Sequence, residues 1–188
     1  MNENIHLSFK KSSPEKYFKT ARIPLTMPKT IEYFAYGSNL NREQMKKREI
    51  TIEDTEIVEL PGWKLAFTIY SDPWDGAVGD IIPNPENRVE GVVYTIPEDD
   101  LKKLDHYEGR NVDNHIEVGM YRRQYLPVKS KEGWRTVLTY LVNRNIEHKS
   151  KVDLKPSKEY LQTIISGAKK HGLSEEYLGS LRSINYKE

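Results

Sequence analysis

Cysteine is absent from this chain of 188 residues. Its absence excludes disulfide bonds, cysteine nucleophiles, thiolate zinc sites and iron–sulfur clusters. No stretch approaches the ~20 consecutive apolar residues that a membrane-spanning helix needs. A large charge of either sign is also missing, because 29 Lys and Arg face 28 Asp and Glu for a net charge of +1. We therefore expect neither nucleic acid nor a membrane as a partner.

The first thirty residues differ from the rest of the chain. They carry six Lys and Arg against two Glu, and Pro14, Pro24 and Pro28 interrupt any long helix. They lack the apolar stretch of a secretory signal, which together with the missing cysteines favours a cytoplasmic protein. We predict two parts: a basic N-terminal extension, residues 1–30, and one domain, residues 31–188.

Hydrophobic patterning and turn residues outline the domain. Strands are predicted at residues 31–35, 55–60, 64–70, 77–82, 88–96, 121–128 and 134–142. Helices are predicted at about 40–48, after Pro97, between Ser157 and Gly172, and after Ser174. Six or seven strands in one block, with helices at its breaks, predict an α+β domain with a curved or closed sheet.

A strand-to-helix turn, Tyr36-Gly37-Ser38-Asn39, follows the first strand. Gly37 lets the backbone approach a ligand closely, and the helix start offers free N–H groups to a carboxylate or an oxyanion. Ser38 or Asn39 would be the N-cap. The alternative is a plain cap on a buried strand, which local sequence alone favours because such turns are common. Tyr33, on the strand, would point toward the same place.

The segment 104–109 ends the short second helix and carries Glu108. A buried carboxylate there could act as a general base, whereas a solvated helix end is the better interpretation of any single Glu. Asp105 and His106 precede it, but adjacent positions on a helix point in different directions. The five His residues lack metal-ligand spacing, so we expect no metal. The cluster Lys46-Lys47-Arg48 is typical of a solvated helix face.

Residues 33–40 have the sequence Tyr-Phe-Ala-Tyr-Gly-Ser-Asn-Leu, which resembles the signature that opens the γ-glutamylcyclotransferase family. Further blocks are similar and follow in the family's order: Gly91-Val92-Val93-Tyr94, Leu104-Asp105-x-x-Glu108-Gly109, Gly119-Met120-Tyr121, Pro156-Ser157-x-x-Tyr160, Gly167-Ala168-Lys169 and His171-Gly172-Leu173. Each block alone is modest, but together they are specific. One departure is the segment 110–118, which is longer than the family pattern and borders the expected site.

The resemblance implies a small mixed β-barrel with flanking helices. It also implies conversion of a γ-glutamyl-amino acid to 5-oxoproline and a free amino acid. The family's catalytic Glu falls on Glu108, acting as general base and then general acid, and we expect it to be partly buried. The family's substrate-binding residues fall on Tyr33, Phe34, Ala35, Tyr36, Gly37, Ser38, Asn39, Tyr121 and Tyr160. No metal or organic cofactor is implied, because the substrate's own α-amine is the nucleophile.

Three functions stay open at this stage. The leading one is a γ-glutamylcyclotransferase whose partner is a small-molecule γ-glutamyl substrate. The second is a related cyclotransferase for another γ-glutamyl amine or metabolite, and the third is a non-catalytic binding domain on the same fold. The presence of both the Tyr-Gly-Ser-Asn turn and Glu108 counts against the third, since a binder needs only one of them. The sequence leaves the departing amine and the oligomeric state open, a homodimer included.

Overall fold

The computed structural model describes residues 29–113, 115–145 and 154–187. Its seven strands are β1 (Thr30–Ala35), β2 (Asp54–Ser71), β3 (Gly76–Pro97), β4 (Val112–Asp113), β5 (Ile116–Glu117), β6 (Tyr121–Ser130) and β7 (Gly133–Val142). Its four α-helices are α1 (Arg42–Lys47), α2 (Leu101–Tyr107), α3 (Lys158–His171) and α4 (Glu175–Arg182). No helix in these ranges is long and apolar enough to cross a membrane. The predicted extension, residues 1–30, lies outside them except for its last two positions.

One long antiparallel hairpin, β2 with β3, forms the largest part of the sheet. The sequence predicts a break after Pro61 and a stop at Pro83 and Pro85, but each strand runs on past these prolines, so the prediction of four short strands is wrong. The pairing shifts here from Pro61 opposite Arg88 to Trp63 opposite Pro83. Between these two pairs β3 has more residues than β2, and they form a β-bulge. Prolines are tolerated at a bulge because no N–H is needed there for a hydrogen bond to the opposite strand.

Five strands close into a barrel in the order β1-β3-β2-β6-β7. β1 lies antiparallel to β3 and parallel to β7, where Tyr33 is opposite Leu138. β6 and β7 form the predicted hairpin, while β4 and β5 form a separate two-stranded sheet. The α+β class and the mixed barrel are therefore confirmed. The barrel has five strands because two predicted pairs are each one continuous strand.

The end of β1 leads into a 3-10 turn, Ser38–Leu40, and only then into α1. Asn41 is the N-cap of α1, since its side chain accepts a hydrogen bond from the N–H of Glu43. The prediction that Ser38 or Asn39 caps this helix is therefore wrong, because both residues lie within the turn that precedes it. Their side chains remain available for other partners.

The C-terminal helices α3 and α4 follow the predicted caps. The side chains of Ser157 and Ser174 accept hydrogen bonds at the two N-termini, and Gly172 ends α3 with φ 78°. Gly167 lies against the 3-10 turn, where an added Cβ would be 2.4 Å from the carbonyl carbon of Leu40. This close approach packs α3 directly on the turn and brings its first residues to the same end of the barrel.

Candidate active site

A small cavity of about 30 Å³ lies where β1 meets the 3-10 turn. Its walls come from the turn, the barrel, the end of α2 and the start of α3. The lining residues are Tyr33, Tyr36, Gly37, Ser38, Asn39, Gly79, Glu108, Tyr121, Tyr140 and Tyr160. The structure therefore brings together eight of the ten site residues expected from the sequence.

Phe34 and Ala35 are the two expected residues that do not line the cavity. Successive side chains of a strand point to opposite faces, so Phe34 turns away from Tyr33. Both residues are buried against Gly91, where an added Cβ would lie 2.4 Å from the Ala35 carbonyl oxygen and 2.5 Å from the Phe34 ring. This pair supports the turn from the core and has no contact with the cavity.

Asn39 is buried at the centre of the site, and its whole side-chain amide is hydrogen-bonded. Nδ2 donates to the Tyr33 hydroxyl at 2.7 Å and to Oε1 of Glu108 at 2.9 Å. Oδ1 accepts from Nη1 of Arg48 at 2.8 Å. A guanidinium only donates and a carboxylate only accepts, so these partners fix which way the amide faces. Asn39 thereby holds Glu108 in one orientation.

Glu108 is also paired with Arg48, whose Nη1 donates to Oε1 at 2.6 Å. The side chains of Arg48 and Glu108 are 9% and 14% exposed, so the expected partial burial of Glu108 is present. Both donors to the carboxylate reach the same oxygen, Oε1. Among the residues that the structure describes, Oε2 has no hydrogen-bond partner. The carboxylate is anchored through one oxygen, which leaves the other for a ligand.

Sequence reasoning missed Arg48. It assigned Lys46, Lys47 and Arg48 to a solvated face, and the two lysines are exposed, but Arg48 is buried. Arg48 directly follows α1 and comes three residues after the buried Met45, a spacing that puts both on one side of a helix. That spacing is the signal in the sequence. The guanidinium carbon also lies 5.2 Å from the centre of the Tyr107 ring, a cation–π contact.

Tyr160 reaches from the first turn of α3 to the barrel wall. Its hydroxyl accepts a hydrogen bond from the Gly79 N–H at 2.9 Å, and the Tyr121 hydroxyl donates to the Gly79 carbonyl oxygen at 2.6 Å. An added Cβ would lie 3.3 Å from the Tyr160 hydroxyl at Gly37 and 3.2 Å at Gly79. Sequence reasoning missed Gly79, whose lack of a side chain makes room for Tyr160 beside the turn.

Tyr140 is a further lining residue that the sequence did not single out, because it lies in an unbroken apolar strand. Its backbone carbonyl accepts a hydrogen bond from the Tyr36 hydroxyl at 2.6 Å. Its own hydroxyl donates to Oδ1 of Asp105 at 2.7 Å, and Asp105 also accepts from Arg123. Asp105 therefore forms its hydrogen bonds within the wall of the site and does not line the cavity.

All five phenols of the small cavity have a raised pKa. Burial is the main cause for Tyr33, Tyr36, Tyr121 and Tyr160, and the negative charge of Glu108 raises each pKa further. Burial is the first cause of the raised pKa of Tyr140 as well. Their hydroxyl groups are therefore protonated at neutral pH. Tyr36 and Tyr121 donate their hydrogens to backbone carbonyls. The Tyr33 and Tyr160 hydroxyls, in contrast, accept hydrogen bonds and so keep neutral donors for a ligand beside the carboxylate.

A larger cavity of about 190 Å³ adjoins the first and shares Ser38, Glu108, Tyr121 and Tyr160 with it. Apolar and aromatic groups form much of its wall. Its other lining residues are Arg48, Ser71, Pro73, Trp74, Val78, His106, Tyr107, Gly109 and Met120. Glu108 thus lies at the junction between a space suited to a carboxylate-sized group and a space suited to a longer substituent.

The long segment 110–118 contains the β4–β5 hairpin. Its ends meet beside the site, because the Met120 N–H donates to the Gly109 carbonyl oxygen at 2.9 Å and an added Cβ at Gly119 would lie 2.2 Å from that oxygen. None of its described residues lines either cavity. Nor do the described parts of the chain contain a group of three or more His, Asp and Glu side chains that could hold a metal ion.

The fold and the site together define a class of protein: a small mixed β-barrel with one carboxylate at an internal cavity. The model of the AIG2-like family matches residues 88–181. A γ-glutamylcyclotransferase from Bos taurus is 32% identical over 156 residues, covering 81% of this chain and 77% of that protein. One from Mus musculus is 30% identical over 163 residues, covering 85% and 81%. The solved structure of a γ-glutamyl cyclotransferase has a TM-score of 0.71 at 30% identity, covering 85% of this chain and 90% of that one.

The chain therefore belongs to the γ-glutamylcyclotransferase family and is an enzyme of this type. The match to the AIG2-like model begins at Arg88, so it includes Glu108, Tyr121 and Tyr160. The turn at residues 36–39 precedes that match and is joined to it in space by the hydrogen bond from Asn39 to Glu108.

Proposed function

We propose that this enzyme converts a γ-glutamyl-amino acid to 5-oxoproline and the free amino acid. The position of Glu108 carries the proposal, because one oxygen is fixed by Asn39 and Arg48, the other has no described partner, and the residue lines two adjoining cavities. The relatives named γ-glutamylcyclotransferase support the same reaction. An oriented carboxylate with one available oxygen is what a proton shuttle needs.

Glu108 moves protons between two nitrogens of the substrate. The α-amine of the glutamyl group arrives mostly as ammonium, since its reference pKa is ~7.7–8.0. Oε2 of Glu108 removes a proton, and the freed amine attacks the γ-carbonyl carbon to form the ring C–N bond. The C–N bond to the departing amine then breaks as that nitrogen takes a proton from Glu108. Glu108 passes the second ammonium proton to the departing amine in the same way, so that one proton stays on the ring nitrogen and Glu108 returns to its carboxylate form.

The turn and the phenols hold the substrate during this reaction. The small cavity has room for a carboxylate, and residues 37–39 line it. We assign the α-carboxylate of the glutamyl group to the N–H groups there. The Tyr33 hydroxyl accepts from Asn39, so its own hydrogen remains for the substrate, and protonated phenols stabilise an oxyanion. Holding the flexible glutamyl chain in a bent form removes much of the entropic barrier to ring closure.

Further expectations from the sequence belong to this proposal. They are a cytoplasmic location, a basic extension at residues 1–30 that is separate from a domain at 31–188, and a partner that is a small molecule and not a nucleic acid. A homodimer is compatible with them. Gel filtration of the full chain beside a chain that begins at residue 29 would check the division into two parts.

The test of the function is the release of 5-oxoproline from a panel of γ-glutamyl dipeptides, detected by mass spectrometry. Glu108→Gln should lower the rate by ~10²-fold or more, the usual size of general acid–base catalysis. Glu117→Gln is a matched control, because Glu117 is also partly buried and pairs with Arg110 at 2.7 Å but lines neither cavity. Full activity of Glu108→Gln would remove Glu108 from the mechanism. A wild type that releases no 5-oxoproline from any dipeptide would reject the function.

A further inference from the structure

Arg48 has hydrogen-bond donors that the site leaves unpaired. Nη1 serves both Asn39 and Glu108. Nε is buried with no partner, and Nη2 has none within the described ranges. Native proteins leave few buried donors unpaired, and each one is destabilising. Nε is closed off from solvent, but Nη2 is not among the fully buried donors, so Nη2 is the group that an acceptor from outside the chain can reach on this nine-tenths buried side chain.

The surroundings of Arg48 point to a carboxylate as that acceptor. Arg48 lines the larger cavity, and among the described residues no other Arg or Lys lines either cavity. The remaining titratable groups of the larger cavity, apart from tyrosines, are Glu108 and His106. An anionic group that enters this space therefore has one permanently charged cation to meet. Guanidinium and carboxylate form the stronger, charge-assisted kind of hydrogen bond.

We propose that Nη2 of Arg48 binds the carboxylate of the departing amino acid. The inference rests on the proposed function, which puts the departing group in the larger cavity. In an α-amino acid the carboxylate carbon is two bonds from the nitrogen that takes the proton from Glu108. Nη1 of Arg48 lies 2.6 Å from Oε1 of Glu108, so one guanidinium is within reach of both groups. The substrate class is then γ-glutamyl-α-amino acids with a free carboxylate, and γ-glutamyl amines are poor substrates.

The charges in the cavity change in step with this binding. While Glu108 is a carboxylate, it neutralises Arg48. Once Glu108 has taken the proton from the substrate ammonium, Arg48 keeps a buried positive charge without its partner, which is unfavourable. The carboxylate of the departing amino acid supplies the missing negative charge at that stage. Because the contact is strongest when the departing nitrogen is about to be protonated, it raises kcat as well as affinity.

The experiment compares γ-glutamyl-L-alanine with γ-glutamyl-L-alaninamide, which differ only in the charge of the departing group. In the wild type, kcat/KM should be about tenfold or more higher for the acid, the size expected for a hydrogen bond to a charged group. Arg48→Gln should slow both substrates, because Glu108 loses an anchor, and should also bring the ratio of the two kcat/KM values close to one. Arg48→Lys should recover part of the ratio, since it restores the charge.

Arg135→Gln is the matched control. Arg135 also has a buried Nε without a hydrogen bond, 3.3 Å from a Glu32 oxygen, and an ion pair of 2.6 Å with Glu56, but it lines neither cavity. Its variant should keep the wild-type ratio. Equal kcat/KM values for acid and amide in the wild type would overturn the inference, and so would a wild-type ratio in Arg48→Gln, which would mean that Arg48 acts only by positioning Glu108.

A measurement on the wild type covers the case in which Arg48→Gln does not fold. L-alanine should inhibit the reaction at about tenfold lower concentration than L-alaninamide, because only the acid pairs with Arg48. Equal inhibition by the two would overturn the inference. Release of 5-oxoproline from both substrates at similar rates would refute this role of Arg48 and leave the proposed function intact. Release from neither would reject the proposed function itself.

Discussion

Arg48 and Glu108 form an ion pair of 2.6 Å with both side chains largely enclosed. Such a pair adds little net stability, because removing two charges from water costs about as much as their attraction returns. Breaking it from one side is costly, since the remaining charge is buried alone. Its presence beside a cavity is therefore better explained by the chemistry of the site than by stability.

Arg48→Met should lower the free energy of unfolding by about 3–5 kcal/mol, because the charge of Glu108 then has no partner. Adding Glu108→Gln removes that charge, so the double variant should be more stable than the sum of the two single losses predicts. Urea denaturation of the wild type, both single variants and the double variant gives the coupling energy. Strictly additive losses would contradict the pairing.

Tyr160→Phe should destabilise the protein by about 1–3 kcal/mol, because the buried N–H of Gly79 loses its acceptor. The same change removes a donor from the small cavity, so KM should rise. Tyr125→Phe is the matched control, since Tyr125 lies on β6 and is 57% exposed. Its thermal midpoint and KM should equal those of the wild type. A Tyr160→Phe variant that shares both wild-type values would show that the hydroxyl is dispensable.

Gly37→Ala tests the packing of the turn. Gly37 has φ −107°, outside the left-handed region that favours glycine, and the new Cβ would lie 3.3 Å from the Tyr160 hydroxyl. We expect kcat/KM to fall by about tenfold, equivalent to ~1.4 kcal/mol. Gly179→Ala, on α4 with nothing within 4 Å of an added Cβ, should leave kcat/KM unchanged.

A second variant separates that contact from other causes. In a Tyr160→Phe background the hydroxyl is gone, so adding Gly37→Ala should produce a smaller relative loss of kcat/KM than it does alone. The same relative loss in both backgrounds would rule out the Tyr160 contact as its cause.

Alkaline pH should destabilise the fold. Burial raises the pKa of Tyr33, Tyr36, Tyr121 and Tyr160 above the ordinary 10.0, which the unfolded chain keeps. The folded state then binds protons that the unfolded state releases, so the free energy of unfolding falls as pH rises above about 10, by about 1.4 kcal/mol per pH unit for each phenol. Urea denaturation in a pH series checks this. In Tyr33→Phe the free energy of unfolding should fall less steeply with pH, because one phenol fewer releases a proton on unfolding. A free energy of unfolding that does not change with pH in the wild type would contradict the burial of these groups.

Local sequence signals predicted most of the fold. Side-chain caps at Ser157 and Ser174 and the left-handed Gly172 bound the last two helices as expected, because each acts over a few residues. The long hairpin was predicted less well. Pro61 and Pro83 normally end a strand, and whether the opposite strand offers a bulge at that point is set by pairing between distant residues.

The site was predictable where its residues lie in the family's sequence blocks, and less so elsewhere. Glu108 and Asn39 are sixty-nine positions apart, and only the closure of the barrel brings their side chains to 2.9 Å. Arg48 was hidden in a run of basic residues whose other members are solvated. Gly79 acts through its backbone groups and through the space that its missing side chain leaves for Tyr160. Neither feature can be recognised from the residue type in a sequence.

The base of the β4–β5 hairpin, where Gly109 and Gly119 meet, makes this loop a natural entry point for added polypeptide. The chain leaves and returns at almost the same place, so the number of residues between the two glycines has little effect on the distance that the barrel must span. Relatives could gain or lose residues here without redesigning their catalytic machinery. An engineer could graft a fluorescent reporter or an affinity tag at the same position and use it to follow substrate binding a few residues away.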